Sequence, residues 1–239
     1  MTSRTTAPTA LITGASRGFG RAVARELADH GWILVVDGRD PQALAATADE
    51  LRSQTRVIPV SGDVADPEHR AHLAVAVRRL GGLDAVINNA STLGPSPLPS
   101  LLDYPLSALE DVYRTNVIAP LALLQAVRSE LRPGTRIVNI TSDAAVEPYE
   151  GWGGYGSGKA ALEQLSAVLA AENPQLRVFW LDPGDMRTAM HQAAFPGEDI
   201  SDRPLPEERA PALLRLLEED FPSGRYVATD LLVPAGVAR

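Results

Sequence analysis

Short apolar runs alternate along the chain with longer segments in which apolar residues recur every three or four positions. The short runs are rich in Val, Ile and Leu, which is typical of strands. They predict six strands, at TALIT (9–13), WILVVD (32–37), RVIPV (56–60), DAVIN (84–88), TRIVNIT (135–141) and LRVFWL (176–181), with GRYVATD (224–230) as a short seventh. Because these runs are apolar on both faces, they indicate a parallel sheet covered by helices on both sides.

The segments between the runs predict helices. Asp40-Pro41 and Asp66-Pro67 each join an N-cap aspartate to a proline at the first helical position, so they mark two helix starts. Further helices are expected at about 21–30, 106–131, 155–172 and 210–220. Alternating strands and helices predict a single α/β domain over residues 1–239, with a doubly wound parallel sheet of six or seven strands. Ligands bind such sheets at the carboxyl ends of the strands.

The composition narrows the possible partners. The 239 residues carry 22 Lys and Arg against 30 Asp and Glu, a net charge of −8, without a basic run. This argues against nucleic acid or an anionic membrane as partner. The sequence has no cysteine, which excludes disulfides and thiolate chemistry. The first apolar run is too short for a signal peptide, and no run approaches a membrane span, so we expect a cytoplasmic protein.

A glycine-rich loop, TGASRGFG (13–20), joins the first strand to the first helix. Gly14, Gly18 and Gly20 suit a tight turn, a close backbone approach to a pyrophosphate, and the packing of helix on strand. The phosphates would then lie at a helix N-terminus, where free N–H groups favour anions. Taken alone, the three glycines are also compatible with a plain strand-to-helix turn.

The stretch GWGGYGSGKAAL (151–162) places Tyr155 and Lys159 four residues apart, on one face of a predicted helix. A free phenol has a pKa of roughly 10, and a nearby ammonium is expected to lower it. Tyr155 is thus a candidate general acid and base. Gly156 and Gly158 each cost the helix about 0.8–1 kcal/mol relative to alanine. We expect them to make room for a cofactor or for neighbouring backbone.

From residue 8 to about 190 the chain resembles the short-chain dehydrogenase/reductase family, whose fold is of the Rossmann type. The resemblance rests on TGASRGFG, GDV (62–64), NNA (88–90), TNV (115–117), Ser142, the YxxxK pair and DPG (182–184) followed by Thr188. It implies an oxidoreductase that interconverts a ketone and a secondary alcohol with a nicotinamide dinucleotide. The implied catalytic residues are Ser142, Tyr155, Lys159 and Asn116, the last holding a water beside the lysine. Ser91 stands where the family usually has glycine.

The resemblance also implies the cofactor-binding residues: Gly14, Ser16, Arg17, Gly18, Phe19, Gly20, Gly38, Arg39, Asp63, Val64, Asn89, Ala90, Tyr155, Lys159, Pro183, Gly184, Met186 and Thr188. Counted from Gly14, the position of the acid that selects NAD falls on Gly38. Arg39 and Arg17 are suited to flank a 2′-phosphate, so NADP(H) is the preferred cofactor. Asp37, one residue away, keeps NAD(H) possible.

The long segment after DPGDMRT is expected to cover a small carbonyl or alcohol substrate as a lid at about 185–205. Ser142, Tyr149, Trp152 and Met190 are the substrate-site candidates, and an apolar pocket would add Met186, Phe195, Leu93 and Leu98. His191 is either a polar contact to substrate or an exposed loop residue. His69 and His72 lack further ligands nearby in sequence, so we expect them to be solvated and expect no metal site.

Two other functions stay open. One is a non-catalytic dinucleotide-binding sensor or scaffold, and the other is an epimerase, isomerase or lyase on the same fold. Retention of both Tyr155 and Lys159 counts against the first. A homodimer or homotetramer is expected, with contacts through the helices at 106–131 and 155–172. The ending GRYVATDLLVPAGVAR lacks the family's usual glycine-rich last strand, which puts in doubt tetramer contacts through that strand.

Overall fold

A computed structural model describes residues 7–233 of the chain. The strands are β1 (Thr9–Ile12), β2 (Ile33–Gly38), β3 (Val57–Ser61), β4 (Leu83–Asn88), β5 (Leu131–Ile140), β6 (Arg177–Asp182) and β7 (Gly224–Val227). The helices are α1 (Gly18–Asp29), α2 (Pro41–Leu51), α3 (Pro67–Arg78), α4 (Leu106–Tyr113), α5 (Ala119–Ala126), α6 (Gly153–Glu172), α7 (Ala189–Ala194), α8 (Ala210–Glu218) and α9 (Ala228–Leu232).

The strands of this region form one parallel sheet in the order β3-β2-β1-β4-β5-β6-β7. The order reverses between β1 and β4, which opens a crevice at the carboxyl ends of these two strands. Consecutive residues of one strand point to opposite faces, so Ile12 belongs to one buried cluster and Leu11 to another. Helices α1, α2 and α8 cover the first face, and α3 and α5 cover the second. The predicted doubly wound α/β fold is therefore confirmed.

Two helix starts form as the sequence predicts. The Asp40 carboxylate accepts hydrogen bonds from the backbone N–H groups of Gln42 and Ala43 at the start of α2. The Asp66 carboxylate accepts one from Glu68 at the start of α3. These bonds satisfy backbone donors that an α-helix leaves without an internal partner. Helix α1 differs, since no side chain caps it at Arg17.

The helix expected over 106–131 is interrupted. A π-helical turn, Arg114–Ile118, separates α4 from α5. Pro120 has no N–H group, so the α-helical bond to the carbonyl of Asn116 cannot form. Strand β5 begins at Leu131, earlier than its apolar run suggests.

The end of the described region and the predicted lid also differ from expectation. The segment expected as a strand over 224–230 is a strand only to Val227 and then turns into α9. The predicted lid contains α7, whose start is capped by the Thr188 hydroxyl accepting from the N–H of His191.

Among residues 7–233, no helix is both long and apolar enough to cross a bilayer.

Candidate active site

The glycine loop is shaped by close approaches of backbone. Gly14 and Gly18 have φ of 67° and 56°, in the left-handed region that favours glycine. A Cβ on Gly20 would lie 2.3 Å from the carbonyl oxygen of Gly14, and a Cβ on Gly14 would lie 2.9 Å from the Cα of Ala90. Glycine at these positions therefore lets β1, β4 and α1 meet at one point.

Residues after β4 hold this loop. The Thr13 hydroxyl oxygen accepts from the backbone N–H groups of Asn89 and Ala90, each at 3.0 Å. The Asn89 amide donates to the carbonyls of Thr13 and Gly14 at 2.9 and 3.1 Å. The side-chain donors of Asn89 are thus used in supporting the loop.

The start of α1 is suited to an anion. Its first N–H groups have no side-chain cap, unlike those of α2 and α3, and its first turn has no acidic residue. Free N–H groups at a helix start, approached by a glycine loop without side chains, fit the pyrophosphate of a dinucleotide. Thr188 lies across this loop, with its methyl carbon 3.7 Å from where a Cβ on Gly18 would be.

At the end of β2, Asp37 and Gly38 face different parts of the molecule. The Asp37 side chain is buried and faces α3, where its carboxylate lies 3.6 Å from Nε2 of His69. Burial raises the pKa of Asp37. Gly38 instead lies beside the glycine loop, since a Cβ on it would be 3.0 Å from the Ser16 hydroxyl oxygen. Arg39 and Arg17 are exposed.

The prediction that His69 is solvated is wrong. Its ring is 4% exposed and fills the space that a side chain on Gly62 would need. His72 is exposed. Asp63 is exposed and accepts from the N–H of Ala65, and Val64 is buried. Over residues 7–233, no group of three or more His, Cys, Asp or Glu side chains is arranged to hold a metal ion.

Tyr155 and Lys159 lie in the first half of α6, against the end of β5. The Lys159 ammonium donates to the carbonyl of Ile140 at 2.7 Å and lies 5.4 Å from the centre of the Tyr155 ring. Lys159 is the only lysine in the sequence. It is 2% exposed, and this burial lowers its pKa to about 8. The negative charge of Asp182 acts in the opposite direction.

The expectation that Lys159 lowers the pKa of Tyr155 is wrong for this geometry. Burial of the phenol, followed by the charges of Asp182 and Asp143, raises the pKa of Tyr155. The nearby hydroxyls of Ser91 and Ser142, which can donate to the phenolate oxygen, oppose this rise. The Lys159 ammonium donates to the carbonyl of Ile140 and lies beside the face of the ring.

Ser142 lies two residues after β5 and starts a short turn. Its hydroxyl donates to Asp143 at 2.8 Å and accepts from the N–H of Ala144 at 3.2 Å. The Tyr149 hydroxyl donates to the same Asp143 carboxylate at 3.0 Å, and this bond raises the pKa of Tyr149. Sequence analysis missed Asp143, although it directly follows a predicted strand and catalytic serine.

Asn116 lies in the π-helical turn and is 1% exposed. Its amide oxygen accepts from the N–H of Thr92, and its amide nitrogen donates to the carbonyl of Thr92, both at 2.8 Å. The side chain therefore fixes the loop after β4. Its backbone carbonyl cannot accept the α-helical bond from residue 120, because Pro120 has no N–H group.

The glycines of α6 have different neighbours. A Cβ on Gly156 would lie 2.5 Å from the backbone carbonyl of Ala144, in the turn that follows Ser142. A Cβ on Gly158 would make only ordinary contacts, at 3.4 Å to Val112, 3.8 Å to Val117 and 3.9 Å to Asn116. Of the two uses expected for these glycines, neighbouring backbone accounts for Gly156.

A buried polar chain joins α6 to the sheet. Asn88 donates to the amide oxygen of Asn139 at 2.7 Å, and Asn139 donates to the Ser166 hydroxyl at 2.7 Å. Ser166 in turn donates to the carbonyl of Leu162. Sequence analysis missed Asn139 and Ser166. The available signal was an asparagine inside each of two apolar strands, since buried polar groups need partners.

An apolar cluster surrounds Tyr155 and includes many of the predicted pocket residues. It consists of Leu93, Ala144, Tyr155 and Ala194, packed against Leu98, Trp152, Met190, Ala193 and Phe195. The Trp152 ring lies 5.7 Å from that of Tyr155 and 5.9 Å from that of Phe195. A cavity of about 310 Å³ is lined by Leu98, Trp152 and Phe195 among others. Tyr149 lines a second cavity, of about 460 Å³, that shares Trp152.

Two residues of the predicted lid lie elsewhere than expected. Met186 is buried in the main core with the residues of α1 and α8, so its side chain is not in the cluster around Tyr155. His191 is buried on α7, with its ring 4.9 Å from that of Phe195, so it is not an exposed loop residue. Pro183 is buried, and Gly184 has a φ of 71° at the turn after β6.

The fold and this site together define an α/β oxidoreductase with a Rossmann-type sheet. The family model for short chain dehydrogenases matches residues 8–199. Sepiapterin reductase of Mus musculus is 36% identical over 199 residues, which cover 77% of this chain and 76% of that protein. The chain belongs to the short-chain dehydrogenase family.

Solved structures of short chain dehydrogenases have the same fold as this chain. A short chain dehydrogenase from Shigella flexneri, complexed with NADP, has a TM-score of 0.87 and 30% identity, over 93% of this chain and 97% of that one. An alcohol dehydrogenase from the archaeon Thermococcus sibiricus, complexed with 5-hydroxy-NADP, has a TM-score of 0.84 and 30% identity, over 93% and 96%.

Proposed function

We propose that this oxidoreductase interconverts a ketone and a secondary alcohol on a small organic molecule, with NADP(H) as the preferred cofactor and NAD(H) possible. One observation carries the proposal: the phenol of Tyr155 lies near the hydroxyls of Ser91 and Ser142, within an apolar aromatic cluster. The buried lysine lies beside the ring of this phenol. A buried phenol next to a hydroxyl donor is suited to hold a carbonyl oxygen and exchange a proton with it.

The cofactor proposal rests on the glycine loop and the end of β2. The uncapped start of α1 would hold the pyrophosphate, with Gly14, Gly18 and Gly20 allowing its approach. Arg39 and Arg17 would pair with a 2′-phosphate, while Asp37 is turned toward His69. The two neighbouring structures described above were solved with NADP or a derivative of it. When bound, a nicotinamide dinucleotide supplies or accepts the hydride at the substrate carbon.

The chain's own residues handle the proton and the substrate. Tyr155 donates its phenolic proton to the substrate oxygen in reduction and takes it back in oxidation. The Ser142 hydroxyl donates to the same oxygen and fixes its position near the phenol. Lys159, with its pKa near 8, exchanges protons close to neutral pH and returns the proton to Tyr155 through the water at Asn116.

The proposed substrate is a small molecule with an apolar or aromatic body. Trp152 and Met190 contribute to the apolar cluster around Tyr155, and Tyr149 stands at its polar edge beside Asp143. The segment 185–205 is proposed as the lid, because α7 packs its Ala194 against this cluster and Ala193 accepts a bond from Ser96 across the site.

One experiment separates this function from its alternatives. Purified protein is mixed with a panel of ketones and alcohols while the nicotinamide absorbance is followed. The wild type should turn over, Tyr155→Phe should lose at least about a thousandfold in kcat, and Tyr226→Phe should keep its activity, since its phenol bonds the Pro222 carbonyl. Cofactor binding without turnover would favour a sensor or scaffold. Product formation without net absorbance change would favour an epimerase or lyase.

We also propose a homodimer formed through the helices at 106–131 and 155–172. Ile118 is 57% exposed and Val168 is 42% exposed. The π-helical turn that carries Ile118 packs against α6, which carries Val168. Exposed apolar side chains on adjoining helices are suited to burial against a second copy.

A further inference from the structure

Strand β7 carries an arginine that reaches behind the proposed catalytic residues. Arg225 donates from Nε to Glu163 at 3.0 Å, and from Nη2 to the Asp182 carboxylate at 3.0 Å and to the carbonyl of Ser142 at 3.3 Å. Its three partners lie in α6, in β6 and in the turn that follows β5. One guanidinium therefore joins three separate elements of the site.

Each partner is tied directly to a residue of the proposed chemistry. Glu163 follows Lys159 by one helical turn and accepts a bond from the Thr141 hydroxyl at 2.7 Å, next to Ser142. Asp182 accepts from the N–H of Gly184 at 2.9 Å and so fixes the turn after β6. A shift of Arg225 would move Ser142, α6 and this turn together.

The positive charge of Arg225 matters as much as its hydrogen bonds. The Asp182 side chain is 6% exposed, and Arg225 forms its ion pair. The negative charge of Asp182 raises the pKa of both Tyr155 and Lys159. A buried carboxylate without a counter-charge is strongly unfavourable and acts on its neighbours at full strength.

Arg225 lies beyond the part of the chain that the family model matches. The family model ends at residue 199, and the ending from Gly224 onward departs from the family's usual pattern. Strand β7 is nevertheless in register with β6, with Arg225 opposite Trp180 and Val227 opposite Asp182. This register brings the arginine to the catalytic end of the sheet.

We propose that Arg225 is a positioning residue that holds the Ser142 carbonyl and compensates the Asp182 carboxylate behind Tyr155 and Lys159. The proposal rests on the proposed function for its kinetic consequence, but its electrostatic consequence is independent of any substrate. The charged or titratable groups around Lys159 are Tyr155 on its own helix and Asp182 on β6, with Asp143, Glu163 and Arg225 behind them. Loss of the guanidinium leaves the surroundings of Lys159 more negative.

The test uses the single lysine. Protein labelled with ¹³C only at lysine gives one Lys side-chain signal, whose pH titration reports the pKa of Lys159. Arg225→Met should raise this pKa by about one unit, since the Asp182 carboxylate that raises it loses its counter-charge. Asp182→Asn should lower it, and the double variant should return to the wild-type value. Arg225→Lys should restore the pKa, because it keeps the cation; its added lysine gives a second signal, which is identified by its absence from the wild-type spectrum.

The effect of Arg225 on catalysis is measured separately from the pKa titration. Arg225→Met should lower kcat/KM by about tenfold or more, because the hydrogen bonds that hold the Ser142 carbonyl and Asp182 are lost. Arg225→Lys should recover only part of it, since one ammonium cannot hold both groups. Arg177→Met, which breaks an exposed ion pair with Asp220, is the control for lost charge and stability. An unchanged or lowered Lys159 pKa in Arg225→Met overturns the proposal. A wild type without turnover, with the pKa rise present, overturns the proposed function alone.

Discussion

The Nζ atom of Lys159 donates a 2.7 Å hydrogen bond to the carbonyl of Ile140, so the ammonium of α6 is bound to the last residue of β5. This bond keeps a buried amine in place at the centre of the proposed site. Burial lowers the pKa of this amine to about 8 from the ordinary 10.5. The consequence can be measured as a dependence of stability on pH.

Between these two pKa values the unfolded chain holds a proton at Lys159 that the folded chain has released. Stability therefore rises as the pH increases through this window, and the gain is complete above the unfolded-state value. Urea unfolding from pH 7.5 to 10 should show a steeper rise in the free energy of unfolding for the wild type than for Lys159→Met. Parallel curves for the two proteins would contradict a lowered pKa.

Gly156 and Gly158 provide a matched pair for testing the packing of α6. In Gly156→Ala the new methyl group would lie 2.5 Å from the carbonyl oxygen of Ala144, so the turn after Ser142 has to move. We expect a loss of about 1–3 kcal/mol in the free energy of unfolding and a lower kcat. In Gly158→Ala the methyl group makes an ordinary 3.4 Å contact, and helix propensity favours alanine.

Gly158→Ala should therefore be neutral or stabilising by up to about 1 kcal/mol. Thermal unfolding and kcat, measured for both variants, show whether the two glycines differ in this way. If Gly156→Ala is as stable as Gly158→Ala and keeps its activity, the contact with Ala144 does not constrain the site. This sharpens the sequence expectation that Gly156 makes room for a cofactor or for neighbouring backbone.

The fold was predictable because its signals are local. The apolar runs and the two Asp-Pro pairs fix strands and helix starts through residues that are neighbours in sequence. The YxxxK spacing likewise places Tyr155 and Lys159 on one face of one helix. The helix over 106–131 was mispredicted in its middle, although Pro120 stood within it as a visible signal against a continuous α-helix.

The partners of the site residues were not predictable in the same way. His69 is buried because the topology brings α3 over Asp37, and no property of HRAH as a local sequence indicates it. The same holds for Arg225, which is distant in sequence from all three of its partners. The pKa of Tyr155 depends on burial and on Asp182 and Asp143, so helical spacing to Lys159 alone gave the wrong direction.

Ile118 offers a test of the proposed dimer. It is 57% exposed at the end of the π-helical turn, and Ile118→Glu would place a charge in the centre of the proposed interface. A charge buried there without a partner is costly, so we expect a monomer. Light scattering coupled to size exclusion measures the mass, with Val75→Glu on α3, 45% exposed, as the control. A wild-type monomer, or a dimer in Ile118→Glu, would refute this interface.

Arg39 is expected to set the preference for the phosphorylated cofactor. A guanidinium that pairs with a 2′-phosphate interacts with NADPH and not with NADH. Arg39→Ala should weaken NADPH binding by about 10–100-fold, in line with about 1.5–3 kcal/mol for a hydrogen bond to a charged group. NADH binding should change little. Fluorescence titration of both cofactors measures this, with the exposed Arg52→Ala as control, and an equal loss for both cofactors would count against a 2′-phosphate contact.

Asp37 and Gly38 distinguish the two possible registers at the end of β2. The Asp37 carboxylate is buried against His69, so Asp37→Asn should leave the ratio of NADPH to NADH affinity within about twofold. Gly38 lies beside Ser16 of the glycine loop, where a new carboxylate would repel a 2′-phosphate and accept bonds from a ribose. Gly38→Asp should therefore shift the ratio toward NADH by at least about tenfold, or 1.4 kcal/mol. Thermal unfolding checks that both variants are folded. The opposite pattern, a shift in Asp37→Asn and none in Gly38→Asp, would mean that the carboxylate of Asp37 faces the cofactor and that NAD(H) is the cofactor to consider first.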